Sequence, residues 1–424
     1  MSKIERMLQE LCPDGVEYKK LGEIGTFTRG NGLQKKDFTN TGVGCIHYGQ
    51  IYTYYGTSAT RTLTHCSPIL AAKLKVAHKG DIIIATTSEN IEDVCKAVAW
   101  LGDEDIVISG DAYIYSHHQN PKYISYLFQT PAFFNFKKKN QTGTKVIRVS
   151  GESMAKFEIP VPPLPIQEEI VRILDHFTAL TAELQAELQA ELQARQEQYE
   201  YYRNKLLTFN ILPPPTTSTE VRWMKMSEIG DFYGGLSGKS KSDFENGNSK
   251  FATYMNVYKN LALNIHTNDM VKIAKGEKQN TIQYGDVLFT GSSETPDECG
   301  MSSVVTEEIS EPIYLNSFCF GFRPYDKSLF FPDYLKHLLR SKAMRAEITK
   351  TANGVTRFNV SKKLMGKILL PILPYKEQIR LATILDKFET LVNDLSQGLP
   401  AEIAAVQEQY EYYRNKLLTF KRIA

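Results

Sequence analysis

Two runs of basic residues carry the strongest chemical signal in the chain. From Pro131 to Val149 the sequence holds Lys137, Lys138, Lys139, Lys145 and Arg148 without an acid, interleaved with Phe133, Phe134 and Phe136. A second run holds Lys342, Arg345, Lys350, Arg357, Lys362 and Lys363 against the single acid Glu347. One basic run is ordinarily a solvated face. Two of them at matching places in diverged halves point instead to phosphate contact. Gly143 and Gly354 mark each run as partly loop, a shape that approaches a nucleic-acid backbone or enters a groove. Arg148, Arg357 and Asn359 are of the types that pair with guanine and adenine edges in the major groove. The stretches Thr144–Arg148 and Val355–Asn359 differ in their letters, as two readers of different half-sites need.

Catalytic constellations are not found beside these runs. There is no G-x-x-x-x-G-K-[ST] loop, so no P-loop nucleotide site. Gly30-Asn31-Gly32 lacks a third glycine at dinucleotide-binding spacing and reads as a turn. No Asp/Asn-Pro-Pro-aromatic tetrad, the mark of an amino-methyltransferase, is present. The acids Asp103-Glu104-Asp105 and Glu307-Glu308 have no lysine in a nuclease-like arrangement and read as solvated loops. His117-His118 lacks a third metal ligand in sequence, and the six cysteines, at 12, 45, 66, 95, 299 and 319, form no C-x-x-C pair. The expectation is a chain that binds no cofactor or metal of its own.

Composition narrows the class further. A chain of 424 residues suits two or three domains, and 42% hydrophobic with 23% charged residues is ordinary for a folded soluble protein. The net charge is only +2, so any nucleic-acid surface must be local. No apolar run approaches the ~18 residues that span a bilayer, no signal peptide is visible, and scattered cysteines fit a cytoplasmic protein.

The elements that position the basic runs come in two copies. Glu197–Phe209 recurs letter for letter at Glu408–Phe420, an offset of 211 residues. The offset holds back through Phe177/Phe388, Asp175/Asp386, Gln167/Gln378 and Pro163/Pro374, and upstream through Pro160/Pro371, Gly143/Gly354 and Pro121/Pro332. Further back it slips to 205, pairing Gly80-Asp81 with Gly285-Asp286. Each copy opens with a mixed region. Val16–Leu21, Lys79–Ala85 and Tyr284–Phe289 predict short strands, and helices follow the prolines at 121 and 332. Each then enters a long helical stretch. The first runs from about Ile166 to Phe209, with Leu180, Leu184, Leu188 and Leu192 in a four-residue row inside repeated Ala-Glu-Leu-Gln tetrads. A leucine stripe of that length needs a partner, and the second copy supplies one. Gly398 and Pro400 predict a break in the second stretch. Ile211–Ser218, with three prolines, predicts an extended linker.

The expected fold is therefore α+β with an internal pseudo-two-fold repeat. Two mixed α/β domains, 1–160 and 211–370, are joined by two long antiparallel coiled-coil helices, 161–210 and 371–424. The near-identical helix ends carry Tyr199, Tyr201, Tyr202 and Arg203, twinned with Tyr410, Tyr412, Tyr413 and Arg414. These residue types favour interface centres and make them docking candidates for two copies of one partner.

The segments Pro162–Asp175 with Tyr199–Leu207, and Pro374–Asp386 with Tyr410–Leu418, resemble the specificity subunits of type I restriction–modification systems. The resemblance spans the whole chain in organisation and is strongest in the helices. It implies a non-catalytic subunit of a bacterial or archaeal cytoplasmic complex, carrying two target-recognition domains that read a bipartite site in double-stranded DNA. It also implies two methyltransferase subunits docked on the helices, which bring S-adenosylmethionine, and restriction/translocase subunits, which bring ATP and magnesium. The tetrad repeat resembles members in which repeat number sets the spacing between half-sites. The alternatives are a stand-alone DNA-binding or architectural protein, separable by co-purification with a methyltransferase, and a concealed enzyme, separable by activity without added subunits.

Overall fold

The computed structural model describes residues 3–209, 221–393 and 398–423. The predicted linker Ile211–Ser218 lies outside them. The chain forms two compact units, one of Met1–Ala186 with Ala404–Ala424, the other of Glu187–Ile403. Each combines a globular region with stretches of helix.

In the first unit, a five-stranded sheet runs in the order Gly25–Arg29, Ala112–His117, Ile82–Ala85, Lys96–Trp100, Ser58–Ala59. Ile82–Ala85 is the buried apolar run that follows the Gly80-Asp81 turn, and all four residues are fully buried. Successive side chains leave a strand on opposite faces. Ile82 and Ile84 therefore join the cluster of Tyr123, Ile166 and Leu174, while Ile83 and Ala85 join that of Ile46, Ile51 and Trp100. Full burial of each isoleucine contributes roughly 1.5–3 kcal/mol. The second unit repeats the device. In its sheet of Gly230–Gly234, Cys319–Pro324, Val287–Thr290 and Ser302–Val304, Val287 and Phe289 face Tyr334 and Leu385. Leu288 faces Val257 and Leu315.

The predicted proline-started helices are Pro121–Leu127 and Pro332–Arg340. One glutamine in each unit ties such a helix to the long helical stretch. Gln167 is fully buried; its Oε1 accepts from the Asn120 amide at 3.0 Å, and its Nε2 donates to the Pro162 carbonyl at 2.7 Å and to Gln119 Oε1 at 2.8 Å. Gln378 is equally buried, accepts from the Phe331 amide at 2.8 Å, and donates to the carbonyls of Leu373 at 2.9 Å and Leu329 at 3.0 Å. Tyr123 and Tyr334 add matching bonds to the carbonyls of Pro160 and Pro371.

The long helix spans Leu164–Leu206, 43 residues, about 65 Å at 1.5 Å per residue. Its shielded side corrects the expected leucine stripe. Leu174, Thr178, Thr181, Gln185, Leu188, Leu192, Arg195, Tyr199 and Tyr202 are buried or half-buried, at alternating spacings of four and three. Leu180 and Leu184 remain 48% and 43% exposed. A strict four-residue row turns by about 40° per step, so it drifts off any straight seam, whereas a 3–4 alternation stays on it. The second stretch comprises the described helices Tyr375–Asn393 and Leu399–Leu417, with Gly398 a bend just before the latter and Pro400 in its first turn. A proline there loses no hydrogen bond that a helix start would have made.

Within the first unit the helix contacts run antiparallel. The rings of Phe177 and Tyr413 lie 6.1 Å apart, Thr178 Oγ1 meets the Tyr410 hydroxyl at 2.9 Å, and Gln185 donates to Gln407 at 3.1 Å. In the second unit Tyr202 stacks on Phe388 at 5.6 Å. The last residues also belong to the first unit. The Val16 amide donates to the Lys421 carbonyl at 2.9 Å, the Ile423 amide donates to the Val16 carbonyl at 3.2 Å, and Arg422 pairs with Glu158. Among the described residues no helix is long and apolar enough to cross a membrane.

The buried glutamines set the first test. Gln167→Ala leaves the Asn120 amide and the Pro162 carbonyl without partners inside the protein, at about 1–3 kcal/mol each. The urea midpoint should fall accordingly; an unshifted midpoint would show that the clamp is dispensable.

Candidate nucleic-acid interface and docking surface

In the first unit the basic run begins as helix Pro131–Asn140, whose Thr130 cap accepts from the Phe133 amide. Phe133 is fully buried, and Lys137, four residues on, lies on the same face. Lys137 is therefore not a surface cation. Its Nζ donates to the carbonyls of Glu92 and Val94, both at 2.8 Å, and burial lowers its pKa. These carbonyls lie just before Cys95, which is held at φ 63°, a left-handed conformation that costs a side-chain-bearing residue energy. The ammonium thus fixes a strained turn. Lys138 and Lys139 are exposed.

The run continues into a loop closed by paired bonds between Thr142 and Arg148, amide to carbonyl, each 2.8 Å. Gly143 sits at φ 93°, where a Cβ would fall 2.1 Å from the Val146 carbonyl oxygen, so the turn demands glycine. Lys145 and Arg148 are exposed, the latter on the short strand Ile147–Arg148 that pairs with Thr87–Ser88. The second unit builds the same loop. Gly354 sits at φ 148° with no room for a Cβ beside the Arg357 carbonyl, and strand Phe358–Val360 pairs with Ser292–Ser293. Val355 at the tip is 91% exposed, and Arg357 and Asn359 are exposed behind it.

Four side chains beside Arg357 were not foreseen. Its guanidinium lies 5.6 Å from the ring centre of Phe318, which is 57% exposed, and Nη2 donates to Ser292 Oγ at 3.1 Å. Tyr254 and Tyr258 stack 6.1 Å apart on the wall of the same open cavity of about 510 Å³, beside Thr356 and Arg357. These groups come from separate segments, and only the i, i+4 tyrosine pair was visible in the sequence.

The remaining cations divide by role. Arg345 is a correction of the same kind as Lys137. It is half-buried, Nη1 donates to the Gly300 carbonyl, and Nη2 donates to those of Asp297 and Cys299, at 2.6–2.8 Å. Lys350 is exposed but ion-paired with Glu347 at 2.5 Å. Lys362 lies over the Phe320 ring, and Lys342 and Lys363 are exposed.

The docking candidates also split. Tyr199 is buried, its hydroxyl 3.0 Å from His337 Nδ1, and Arg414 is buried, donating to the Gln129 carbonyl at 2.9 Å and to Gln129 Oε1 at 3.2 Å. Both serve packing, not docking. Tyr202, Tyr410 and Arg203 are half-buried. Tyr201, Tyr412 and Tyr413 are 58%, 62% and 41% exposed.

One constellation has metal-ligand residue types among the described residues: His337, Asp386 and Glu389. Lys336 Nζ already lies 2.9 Å from Asp386 and 3.1 Å from Glu389, and His337 Nε2 lies 2.7 Å from Asp386. Burial pushes the Asp386 carboxyl up, but His337 and Lys336 outweigh it and hold it below its ordinary value. With an ammonium in the place of an ion, the cluster clamps helix Pro332–Arg340 to Tyr375–Asn393. His117, left without a third ligand, has its pKa lowered to about 4, chiefly by burial.

The type I restriction modification DNA specificity domain matches residues 13–194 and again 220–405, so the chain belongs to the type I restriction–modification specificity family. The specificity subunit of the EcoR124I/EcoR124II type I restriction enzyme of Escherichia coli is 33% identical over 291 residues, 65% of this chain and 65% of that protein, just under two thirds of its length. The putative specificity subunit S.HindORF215P of Haemophilus influenzae is 31% identical over 344 residues, 76% of each chain. In fold, a chain solved in work on complex assembly and conformational transition of the type I R-M system matches with TM-score 0.66 at 18% identity, over 95% of this chain and 97% of that one. The HsdS subunit from Thermoanaerobacter tengcongensis matches with TM-score 0.58 at 18% identity, over 96% of each. Members of this family are the non-catalytic DNA-recognition component of their systems. The stand-alone alternative is not favoured.

The two kinds of lysine separate experimentally. Lys137→Ala strands the buried Val94 carbonyl and the part-buried Glu92 carbonyl and should cost about 2–3 kcal/mol in urea unfolding. Lys138→Ala with Lys139→Ala should stay within about 0.5 kcal/mol of the parent per substitution. Equal losses from the two variants would contradict the structural role given to Lys137.

Proposed function

We propose that the chain reads a bipartite target in double-stranded DNA, one half with each globular region, for a type I modification and restriction complex. The observation that carries this reading is the pair of glycine-turned, exposed loops, Gly143–Arg148 and Gly354–Asn359. They occupy equivalent places on a repeated frame and present different side chains. In such a reading Lys138, Lys139, Lys145, Lys342 and Lys363 contact phosphates and set affinity, which carries no sequence information. Arg148, Arg357 and Asn359 reach base edges, with Phe318, Tyr254 and Tyr258 as an apolar wall beside Arg357. Tyr201, Tyr412 and Tyr413 are the anchors on which two methyltransferase subunits dock, and restriction/translocase subunits join that core. The chain contributes no cofactor; S-adenosylmethionine, ATP and magnesium come with the partners, in the cytoplasm of a bacterial or archaeal cell.

Replacing residues 211–370 with the corresponding region of another family member tests the proposal. Methylome sequencing of cells expressing the hybrid with its methyltransferase should show one half of the modified sequence changed and the other retained. A change in both halves, or in neither, would remove the modular reading.

A further inference from the structure

The second unit holds a cationic cavity of which target reading uses only Lys342, at its exposed edge. Arg203, Arg340, Lys342 and Arg345 line an open space of about 500 Å³, with Asp297 the single acid among its lining residues. None of the four cations makes an ion pair among the described residues. Arg340 spends Nε on the Ser302 carbonyl at 2.8 Å and Nη2 on that of Tyr258 at 2.8 Å, while Nη1 has only the Met301 sulfur at 3.6 Å. Arg203 rests against the Tyr199 ring at 5.1 Å, and its buried Nε has no partner.

The internal repeat shows what this position requires for folding alone. Arg203 and Arg414 are equivalent, and Arg340 is the equivalent of Gln129. In the first unit the glutamine accepts from both terminal nitrogens of the arginine through its carbonyl and its side-chain oxygen, although the Nε of Arg414, like that of Arg203, has no partner. In the second unit the glutamine is replaced by another arginine, so like charges face one another in a partly desolvated place. Burial, then Arg345 and Arg203, push the Arg340 guanidinium down to about 10. Uncompensated charge of this kind is costly unless an anion joins it.

We propose that this cavity binds a phosphate group. Arg345 and most of Arg340 are already held by carbonyls, so the donors left for the ligand are Arg340 Nη1, Arg203 and the Lys342 ammonium, whose charges match the multiple acceptors of a phosphate better than those of one carboxylate. The group can belong to the DNA backbone or to a free phosphate ion, and the chemistry of capture is shared. The inference goes beyond target reading and does not depend on it, because binding is measured on the chain without a target.

The test is isothermal titration of the full chain with inorganic phosphate at constant ionic strength. Saturable one-site binding is expected. Arg340→Gln, which installs the residue used at the equivalent place in the first unit, should weaken it by roughly tenfold or more, the scale of one charge-assisted hydrogen bond. Lys342→Ala, at an exposed site that leaves the fold intact, should weaken it by about threefold. Lys156→Ala, at an exposed position of the first unit, should leave it unchanged. Competition by an unrelated duplex assigns the phosphate to DNA, and undiminished binding in its presence assigns it to a free ion. Absent binding, or equal binding by the parent, Arg340→Gln and Lys342→Ala chains, would overturn the proposal.

Discussion

A buried side-chain amide holds each half of this protein in its working geometry. A glutamine offers one acceptor and two donors within a few ångströms, and Gln167 and Gln378 use all of that capacity. Each joins the start of a proline-led helix to the turn that opens the long helical stretch. Such a group is expensive to bury unless fully paired, so its geometry is strict. That strictness is what lets the exposed loops diverge. The Gly143 and Gly354 loops change their letters freely because the elements beneath them are set by the repeated amide and the matching bonds of Tyr123 and Tyr334.

The repeat is not perfect, and its departures are local and chemical. Tyr126 contacts Asp175 in the first unit where His337 contacts Asp386 in the second, and Gln129 gives way to Arg340. The helix ends keep Tyr201 and Tyr412 exposed at equivalent places. The exposed helix ends thus retain their residues, while the contacts beneath them differ between the halves.

Much of this was legible in the sequence because it is periodic or local. The offset of 211 residues, the proline-led helices, the buried strand after Gly-Asp and the interruption at Gly398 and Pro400 all obey short-range rules. The rest needs a third dimension. Lys137 reads as one of three surface lysines until helix Pro131–Asn140 turns it onto the face of Phe133. Arg345 reads as a phosphate contact until the carbonyls of residues 297–300 surround it. The tetrad leucines read as a stripe, yet the shielded positions show a 3–4 alternation that glutamine and threonine share. Phe318 joins Arg357 from far away in sequence, and no local pattern announces it.

On the proposed reading, a repeated frame carries two different readers and the long helix sets the interval between their half-sites. Removing the tetrad Glu187-Leu188-Gln189-Ala190 shortens the helix by about 6 Å and turns its C-terminal remainder by about 40°. One base pair occupies about 3.4 Å of duplex, so an interval shorter by about one or two base pairs is the scale expected. Methylome mapping of cells expressing the shortened chain with its methyltransferase reads this directly. Both half-site sequences should be kept while the unread gap between them shrinks; full modification with an unchanged gap would contradict the role given to the helix.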